Sequence, residues 1–283
     1  MTQASQSQNQ AGEEIARGER FAFGTNWQRF STTLDDQKID RAYQTLCEML
    51  LVDNLQGKRF LDIGCGSGLF SLAAKRLGAE VHSFDFDAQS VACAIELKAR
   101  YFANDKDWQI EQGSALDPAY LKNLGQWDIV YSWGILHHTG DMWGALLNVV
   151  PLVNGSGSLY IAIYNDDGAK SKRWTWIKKQ YNQHKWAKPW LLTYGLLRTR
   201  GGQFLRDLIK LKPLYSWRAY KEERGMSPWY DVVDWIGGWP FEVATPEALF
   251  RFYKQHHFIL HNMLTRQGKG CNELVFKKQD DTS

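Results

Sequence analysis

Short apolar runs alternate with amphipathic segments through the middle of the chain, and this alternation predicts an α/β fold. The apolar runs, each the length of a strand, lie at 60–63, 81–85, 108–112, 127–133 and 158–164. After the first run, the apolar segment from Leu69 to Gly78 predicts a helix, and Asp87 is placed to cap a second helix that runs to about Tyr101. Strands that alternate with helices indicate a parallel, doubly wound sheet.

The segments that flank this block have patterns of their own. Before it, apolar residues between Ile39 and Leu50 recur on one helical face, and an aromatic stretch with Phe21, Phe23 and Trp27 precedes that helix. These aromatic residues could line a lid or fill the edge of the core. After the block, Thr245-Pro-Glu opens a helix, and two β-rich runs at 258–264 and 273–276 predict an antiparallel hairpin.

The first apolar run leads into the most informative stretch, Phe-Leu-Asp-Ile-Gly-Cys-Gly-Ser-Gly at 60–68. Glycines let the backbone turn sharply and let a ligand lie against the main chain, while the following helix presents unpaired N–H groups. A nucleotide-like ligand is therefore expected at the carboxyl end of the first strand. The spacing is Gly-x-Gly-x-Gly and position 69 is leucine, which disfavours a nicotinamide or flavin site.

The nonamer, together with Asp85 at the end of the second strand, resembles motif I and the acidic ribose-binding position of class I S-adenosylmethionine-dependent methyltransferases. The resemblance covers 58–164 strongly and 245–277 in outline, and it is nearest to ubiquinone-type and other small-molecule O-methyltransferases. It implies a Rossmann-like, doubly wound, seven-stranded sheet, mostly parallel with a C-terminal antiparallel hairpin, and S-adenosylmethionine as the cofactor. No metal site is expected.

This resemblance implies that the cofactor lies along the carboxyl ends of strands one to four. Ser114 follows strand three, where members of the family commonly contact adenine. Trp133 ends strand four and could flank the sulfonium by cation–π attraction. The expected cofactor-binding residues are Asp62, Gly64, Gly66, Gly68, Asp85, Phe86, Ser114, Ala115, Ser132 and Trp133.

The loop after strand four, Trp133-Gly-Ile-Leu-His-His-Thr-Gly-Asp141, should border the transferred methyl group. A hydroxyl acceptor must lose a proton, and a histidine can act as a general base near neutral pH. Similar Leu-His-His sequences in small-molecule methyltransferases favour His137 over His138 as this base. Alternatively, the histidines bond the loop to the backbone while Asp141 caps the next helix. A carboxylate or a deprotonated amine would need no base.

A helical cap inserted at 165–244 is the least ordinary part of the chain. Residues 168–228 contain 15 Lys and Arg against three acids, and since the whole chain carries +3, the remainder carries about −9. Eight of the 13 tryptophans lie in the insertion. Helices are expected around 169–181 and 203–211, the second with an apolar face formed by Phe204, Leu205, Leu208 and Ile209.

Three interpretations of the insertion compete. The helices could form a cap that packs on the sheet domain and shapes the acceptor pocket. The segment 190–197 with its basic flanks could lie at a membrane surface and reach a lipid-linked substrate. Basic residues interleaved with aromatics would also suit nucleic acid, although no RNA-binding module is recognisable. The acidic, aromatic end of the insertion adds Asp231, Asp234 and Glu242 as alternative bases.

Composition sets the remaining limits. A chain of 283 residues with 44% hydrophobic residues can bury a substantial core. Four scattered cysteines, without Cys-x-x-Cys pairs, favour a reducing compartment, and no run approaches the length of a membrane span, so a cytoplasmic protein is expected. Polar tails are expected at 1–12 and 278–283, with an N-terminal helical lid at 13–57.

These observations together predict an S-adenosylmethionine-dependent methyltransferase that acts on a small-molecule or glycan-type acceptor, more readily on oxygen than on nitrogen. An anionic group on the acceptor would explain the basic cap. Methylation of RNA or protein through the basic insertion is the alternative among enzymes. A non-catalytic, cofactor-binding regulatory protein is the alternative outside them, since a fold does not imply activity.

Overall fold

The computed structural model describes residues 12–32, 34–212, 215–217, 228–266 and 270–279. Most of the expected tail at 1–12 lies outside these residues, but Gly12 begins a short helix at 12–16, named α1. Of the expected tail at 278–283, residues 280–283 also lie outside. Lys278 is the last residue of the final strand, so position 278 belongs to the sheet and not to the predicted tail.

Seven strands form one sheet in the order β3-β2-β1-β4-β5-β7-β6. The strands are β1 Arg59–Ile63, β2 Glu80–Asp85, β3 Trp108–Gln112, β4 Trp127–Trp133, β5 Val153–Tyr164, β6 Phe258–Leu264 and β7 Cys271–Lys278. Strands β1 to β5 are parallel, and β7 runs antiparallel to both β5 and β6. The predicted fold class is confirmed.

Helices on both faces of the sheet, together with the cap, complete the described chain. They are α2 Gly24–Ser31, α3 Asp36–Leu50, α4 Leu69–Arg76, α5 Ala88–Tyr101, α6 Pro118–Leu124, α7 Met142–Asn148, α8 Ala169–Gln183, α9 Lys188–Ile209, α10 Pro228–Gly237 and α11 Pro246–Gln255. As the sequence predicts, Asp87 and Thr245 cap α5 and α11, where their side chains accept hydrogen bonds from first-turn amides. Asp141 caps α7 in the same way.

The sheet is buried on both faces, and this rigid layer fixes the carboxyl ends of its strands. One face packs against residues such as Leu146, Val149 and Leu249. The other packs against α3 and α4 through residues such as Leu46 and Leu72, so the helical face predicted between Ile39 and Leu50 is part of the core. Burial on both sides is usual for parallel strands.

The cap formed by α8, α9 and α10 has its own small core. Its buried members are Trp174, Ile177, Tyr181, Val232, Ile236 and Phe241. Inside it, the Lys178 ammonium donates to the carbonyl oxygen of Trp235 and lies 4.4 Å from the centroid of that indole ring. A buried lysine satisfied in this way fixes α8 against α10.

The helix expected around 203–211 is the end of a longer one, because α9 runs from Lys188 to Ile209 and also contains the segment 190–197. The face expected to pack on the sheet domain is largely exposed, with Leu208 68% and Ile209 74% accessible. None of the described helices combines the length and the apolar character needed to cross a membrane.

Candidate functional site

The glycine turn between β1 and α4 forms part of the wall of the largest cavity found in the described chain. Gly64, Gly66 and Gly68 have φ angles of 76°, 54° and 79°, in the left-handed region that favours glycine. A Cβ atom on Gly66 would lie 2.9 Å from the Trp27 ring, so α2 also requires glycine there. At this turn, main-chain atoms without side chains therefore form part of the cavity wall. Gly64 itself lines it, whereas Gly66 and Gly68 shape the turn behind.

Asp85 ends β2 at the same wall. Its Oδ2 accepts a hydrogen bond from the Gly66 amide and its Oδ1 accepts one from the Asp87 amide, both at 2.9 Å. Burial raises the pKa of this carboxyl to about 6, although the two amide bonds favour the charged form. Each carboxylate oxygen has further acceptor capacity, so Asp85 can still receive hydroxyl groups from a ligand in the cavity.

Two predicted cofactor residues lie behind this wall and do not line the cavity. Asp62 is 2% exposed and accepts a 2.5 Å hydrogen bond from the Ser71 hydroxyl. Burial raises the pKa of Asp62 to about 7. Ser132 is fully buried and donates to the carbonyl oxygen of Ile63 at 3.0 Å. Both side chains hold the glycine turn from within, and any effect they have on a ligand is indirect.

A smaller cavity of about 230 Å³ adjoins the first and shares Gly64, Phe86 and Ile135 with it. Ser114 and Ala115, expected to contact adenine, line this smaller cavity. The structure therefore brings together the predicted positions from strands one, two and three. Trp133 lines the larger cavity at the end of β4.

Aromatic residues just before α2 and in its first turn form part of the wall of the larger cavity. Phe21, Phe23 and Trp27 all line it. Arg20 lines both cavities, and its guanidinium donates to the carbonyl oxygens of His138 at 2.8 Å and Thr139 at 3.4 Å. The N-terminal segment is therefore bonded directly to the loop after β4.

The two histidines of that loop have different surroundings. His138 lines both cavities, and its Nδ1 lies 2.5 Å from the carbonyl oxygen of Pro240, so Nδ1 carries the proton and Nε2 is left as an acceptor. Burial, together with the charges of Lys178 and Arg20, lowers the pKa of His138 to about 3, although the bond to the Pro240 carbonyl favours the charged form. The His138 imidazole is therefore neutral at physiological pH.

His137 lines none of the cavities found in the described chain. It is fully buried with its ring 4.2 Å from Tyr164 and 4.4 Å from His138, centroid to centroid, and neither of its nitrogens has a hydrogen-bond partner among the described residues. Burial holds the pKa of His137 well below its usual value. Only His138 lines the larger cavity, so the geometry favours it as the candidate base over His137, the residue that the resemblance favours.

The cap supplies the opposite wall. Asp231 and Asp234 on α10 both line the cavity, so the structure brings these predicted candidates to His138. Asp234 accepts a hydrogen bond from the Asn26 side chain, and Asp231 lies 3.7 Å from the Arg200 guanidinium. The Glu242 carboxylate, by contrast, accepts hydrogen bonds from the Met142 amide at the start of α7.

Sequence reasoning missed several residues of this cavity. Tyr164 ends β5, and the rule that selected the ends of the other strands would have found it. Arg20, Arg200 and Cys271 also line the cavity, but they come from segments that only the tertiary fold brings there. Among the described residues, no group of three or more His, Cys, Asp or Glu is arranged to hold a metal ion.

The whole cavity has a volume of about 750 Å³ and lies at the carboxyl edge of the strands, between the sheet, the lid and the cap. This position is where open α/β sheets bind their ligands, and the volume is typical of a small-molecule site. Its wall carries four carboxyl groups, those of Asp85, Asp87, Asp231 and Asp234.

Comparison with solved structures confirms the fold. The magnesium protoporphyrin IX methyltransferase of Synechocystis PCC 6803, crystallised with bound S-adenosylhomocysteine, superposes with a TM-score of 0.53 at 14% sequence identity. The match covers 90% of this chain and 95% of that one. The seven-stranded sheet with its C-terminal hairpin is thus the fold of a class I methyltransferase.

Sequence comparison confirms the resemblance for the sheet domain. A family model described as a methyltransferase domain matches residues 61–159. A ubiquinone biosynthesis O-methyltransferase of Brucella ovis is 32% identical over 111 residues, which are 39% of this chain and 43% of that protein. One of Escherichia fergusonii is 30% identical over 116 residues, 40% of this chain and 46% of that protein. The chain therefore spans less than half the length of these relatives.

Proposed function

We propose that the chain is an S-adenosylmethionine-dependent methyltransferase that methylates a small-molecule or glycan-type acceptor on oxygen. One observation carries the proposal: a single cavity of about 750 Å³ joins the glycine turn and Asp85 to His138, Asp231 and Asp234. One side of this cavity offers hydrogen-bond acceptors for a ribose, and the other offers groups able to receive a proton. The cap, at 165–244, would select the acceptor.

The residues at the strand ends fit the cofactor. Asp85 would accept the ribose hydroxyls, Phe86, Ser114 and Ala115 would line the adenine site, and Trp133 would flank the sulfonium. The wall has four carboxyl groups and the guanidinium groups of Arg20, Arg200 and Arg266, which suits a ligand that, like S-adenosylmethionine, has both cationic groups and a carboxylate. When bound, S-adenosylmethionine supplies a methyl group on a good neutral leaving group, so the protein has mainly to align the acceptor with it.

His138 is the candidate for the proton of the acceptor hydroxyl. The Pro240 carbonyl fixes its tautomer and leaves Nε2 able to accept a hydrogen bond. Burial lowers its pKa to about 3 and makes it a weak base, and Asp231 and Asp234 line the same cavity as further groups able to receive a proton. The His137 ring packs against the His138 ring, 4.4 Å away between centroids.

Contact with a membrane surface is also part of the proposal. Exposed apolar residues recur along one face of α9 and the turn before it, and we name this face the α9 stripe: Trp186, Trp190, Leu197, Leu205 and Leu208. The only acid of α9, Asp207, is 4% exposed and bonded to Ser216. An apolar stripe on a helix with basic and no exposed acidic residues is typical of helices that lie at anionic membranes.

The reaction would take place in the cytoplasm. None of the four cysteines is in a disulfide, which supports a reducing compartment. Methylation of RNA or protein would use the same basic cap for a macromolecule, and the experiment below separates these acceptors.

The test is transfer of labelled methyl from S-adenosylmethionine into an extract, followed by separation into small-solute, lipid, nucleic-acid and protein fractions. We expect label in the small-solute or lipid fraction. Asp85→Ala should weaken S-adenosylhomocysteine binding by about 1–3 kcal/mol, because two hydroxyl contacts are lost. Glu96→Gln, on the exposed side of α5, is the matched control and should bind normally. Label that ribonuclease or protease removes would overturn the choice of acceptor.

A further inference from the structure

A second groove opens beside the main cavity on the cap side. It has a volume of about 330 Å³ and shares Tyr164, Thr199 and Trp235 with the main cavity. Three basic side chains line it, those of Lys170 and Arg173 on α8 and Arg198 on α9. A ligand that occupies the cavity could therefore extend into the groove without leaving the protein.

The balance of charge in the groove differs from that in the cavity, whose described lining has four carboxyl groups against the guanidinium groups of Arg20, Arg200 and Arg266. Within the described part of the chain, Lys170, Arg173 and Arg198 form no ion pair, whereas Arg200 in the cavity lies 3.7 Å from Asp231. Among the described residues, Asp167 is the one carboxyl that lines the groove, and its Oδ1 already accepts a 2.8 Å hydrogen bond from the Asn165 side chain. The groove therefore has three cations against one acid.

The junction between groove and cavity also has an unused polar atom. The Thr199 Oγ1 is buried and has no hydrogen-bond partner among the described residues. A buried hydroxyl usually finds a partner in the protein or in a bound molecule. The aromatic rings of Tyr164, Trp174, Trp235 and Phe241 also line the groove and can pack against a ring or an alkyl segment of a ligand.

We propose that this groove binds an anionic group of the acceptor, a phosphate or a carboxylate, while the reacting hydroxyl lies in the cavity near His138. Arginine side chains bind phosphate and carboxylate groups in a bidentate manner, and lysine adds a point charge. The described lining of the cavity has four carboxyl groups against three guanidinium groups, whereas that of the groove has three cations against one carboxyl group, so an anionic group of the acceptor is more favourably placed in the groove. This assignment rests on the proposed methyltransferase function.

Inorganic pyrophosphate serves as the probe, because it presents the charge without the rest of the acceptor. The full chain, saturated with S-adenosylhomocysteine, is titrated with pyrophosphate at low ionic strength by calorimetry. Arg173→Gln and Arg198→Gln should each weaken binding by about tenfold. Lys172→Gln and Arg206→Gln are the matched controls, since they remove exposed cations of the same helices outside the groove, and they should change binding less than about twofold.

Three outcomes would overturn the assignment: no pyrophosphate binding by the wild-type chain, equal weakening by the controls, or weaker S-adenosylhomocysteine binding in the Arg173 and Arg198 variants. The last would place the cofactor carboxylate in the groove. A labelled product that an anion exchanger fails to retain would also contradict the assignment of the groove, but it would still support the proposed methyltransferase function. Conversely, a chain that binds no S-adenosylhomocysteine would overturn the proposed function, and the pyrophosphate titration would then decide the groove alone.

Discussion

The Asp85 carboxyl is held between two opposing effects. Burial disfavours its charged form, and the amides of Gly66 and Asp87 favour it, with the result that its pKa is raised from 3.8 to about 6. A group with a raised pKa in the folded state binds its proton more tightly there. The carboxylate is therefore a cost to stability that grows as the pH rises from the unfolded pKa to the folded one.

A ligand whose hydroxyls donate to Asp85 needs the carboxylate form, so its affinity should follow this pKa. We expect S-adenosylhomocysteine affinity to be constant above about pH 7 and to be about tenfold lower at pH 5 than at pH 8. Calorimetry across this range measures it. Asp85→Asn should bind more weakly with a flat pH profile. Asp62→Asn should keep the slope, because Asp62 does not line the cavity. A slope that survives in Asp85→Asn would contradict the ribose assignment.

The two histidines show what a sequence can and cannot decide. Their position after β4 marks the loop, and the loop does reach the cavity. Which ring faces the cavity depends on the 3₁₀ turn at Leu136–His138 and on Pro240, which lies 102 residues further along the chain. No local pattern encodes that contact, so the sequence alone could not tell that His138 is the ring that lines the cavity.

Substitution of each histidine tests this difference. His138→Gln should lower turnover on the order of 100-fold and leave S-adenosylhomocysteine affinity within about twofold, as for the loss of a general base. His137→Leu, of similar size, should retain turnover within about threefold, since no polar partner among the described residues is lost. Initial rates of labelled methyl transfer measure both. Comparable losses in the two variants would mean that the loop conformation matters and His138 is not the base.

At the scale of elements, the contact between α2 and α5 holds the lid on the cofactor side of the cavity. The Gly24 amide donates to Asp87 Oδ2 at 2.8 Å, and a Cβ atom on Gly24 would lie only 2.5 Å from that same oxygen. A side chain at position 24 therefore pushes α2 away from the helix cap on which it rests.

Gly24→Ala should lower the free energy of unfolding by about 1–3 kcal/mol, because the added methyl group is overpacked and the hydrogen bond to Asp87 is strained. Gly201→Ala is the matched control: Gly201 lies within α9 with no atom near its Cβ position, so alanine there should raise the free energy of unfolding by about 0.5–1 kcal/mol. Urea denaturation measures both. If Gly24→Ala left the free energy of unfolding unchanged, α2 would be only loosely packed against α5.

The α9 stripe lies on the same helix that forms part of the cavity wall. Thr199 and Arg200 of the same helix line the cavity, while Trp190 and Leu197 remain 75% and 64% exposed. A membrane that binds the stripe would lie beside the groove and the cavity. An acceptor with a lipid part could then reach His138 without leaving the bilayer surface.

Co-sedimentation with vesicles tests the stripe. The chain should pellet with vesicles that contain anionic lipid, more weakly with neutral vesicles, and less at high salt. The double substitution Trp190→Ser and Leu197→Ser should abolish most of this binding. Trp176→Ser removes an equally exposed tryptophan of α8 outside the stripe and should not. Binding that is unaffected by the double substitution would exclude the stripe as the membrane contact.

Most elements could be predicted because their signals are local. Asp87 and Thr245 mark helix starts, and the apolar runs mark β1 to β4 to within one residue. Sequence patterns are least informative at glycines, because glycine occurs in turns and also inside strands and helices. The glycines at 155 and 157 suggest a turn, but β5 already begins at Val153, which pairs with Trp127 across a register shift. Gly195, by contrast, lets α9 pack closely on Ile236, so the helix continues through it.

At the scale of the whole molecule, charge is distributed unevenly between cap and sheet domain. Residues 168–228 carry +12 and the rest of the chain about −9. The cavity lies where the two meet, with carboxyl groups on its wall and the basic groove beyond Tyr164. A cationic cofactor and an anionic acceptor would each be drawn to its own side, and the reacting atoms would meet between them.

Salt should therefore affect the two ligands differently. The Debye length, the distance over which salt screens a charge, falls from about 10 Å at 0.1 M to about 3 Å at 1 M ionic strength. Salt therefore screens the exposed cations of the groove more than it screens the buried Asp85. Between about 0.05 and 0.5 M sodium chloride, we expect the KM for the acceptor fraction to rise at least about fivefold. The Kd for S-adenosylhomocysteine should change less than about twofold, because hydrogen bonds and stacking dominate there. Methyl-transfer rates and calorimetry on the same preparation measure the two quantities. If the KM did not respond to salt, the cations of the cap would not contact a charged group of the acceptor. Their role would then be limited to the proposed contact between α9 and a membrane.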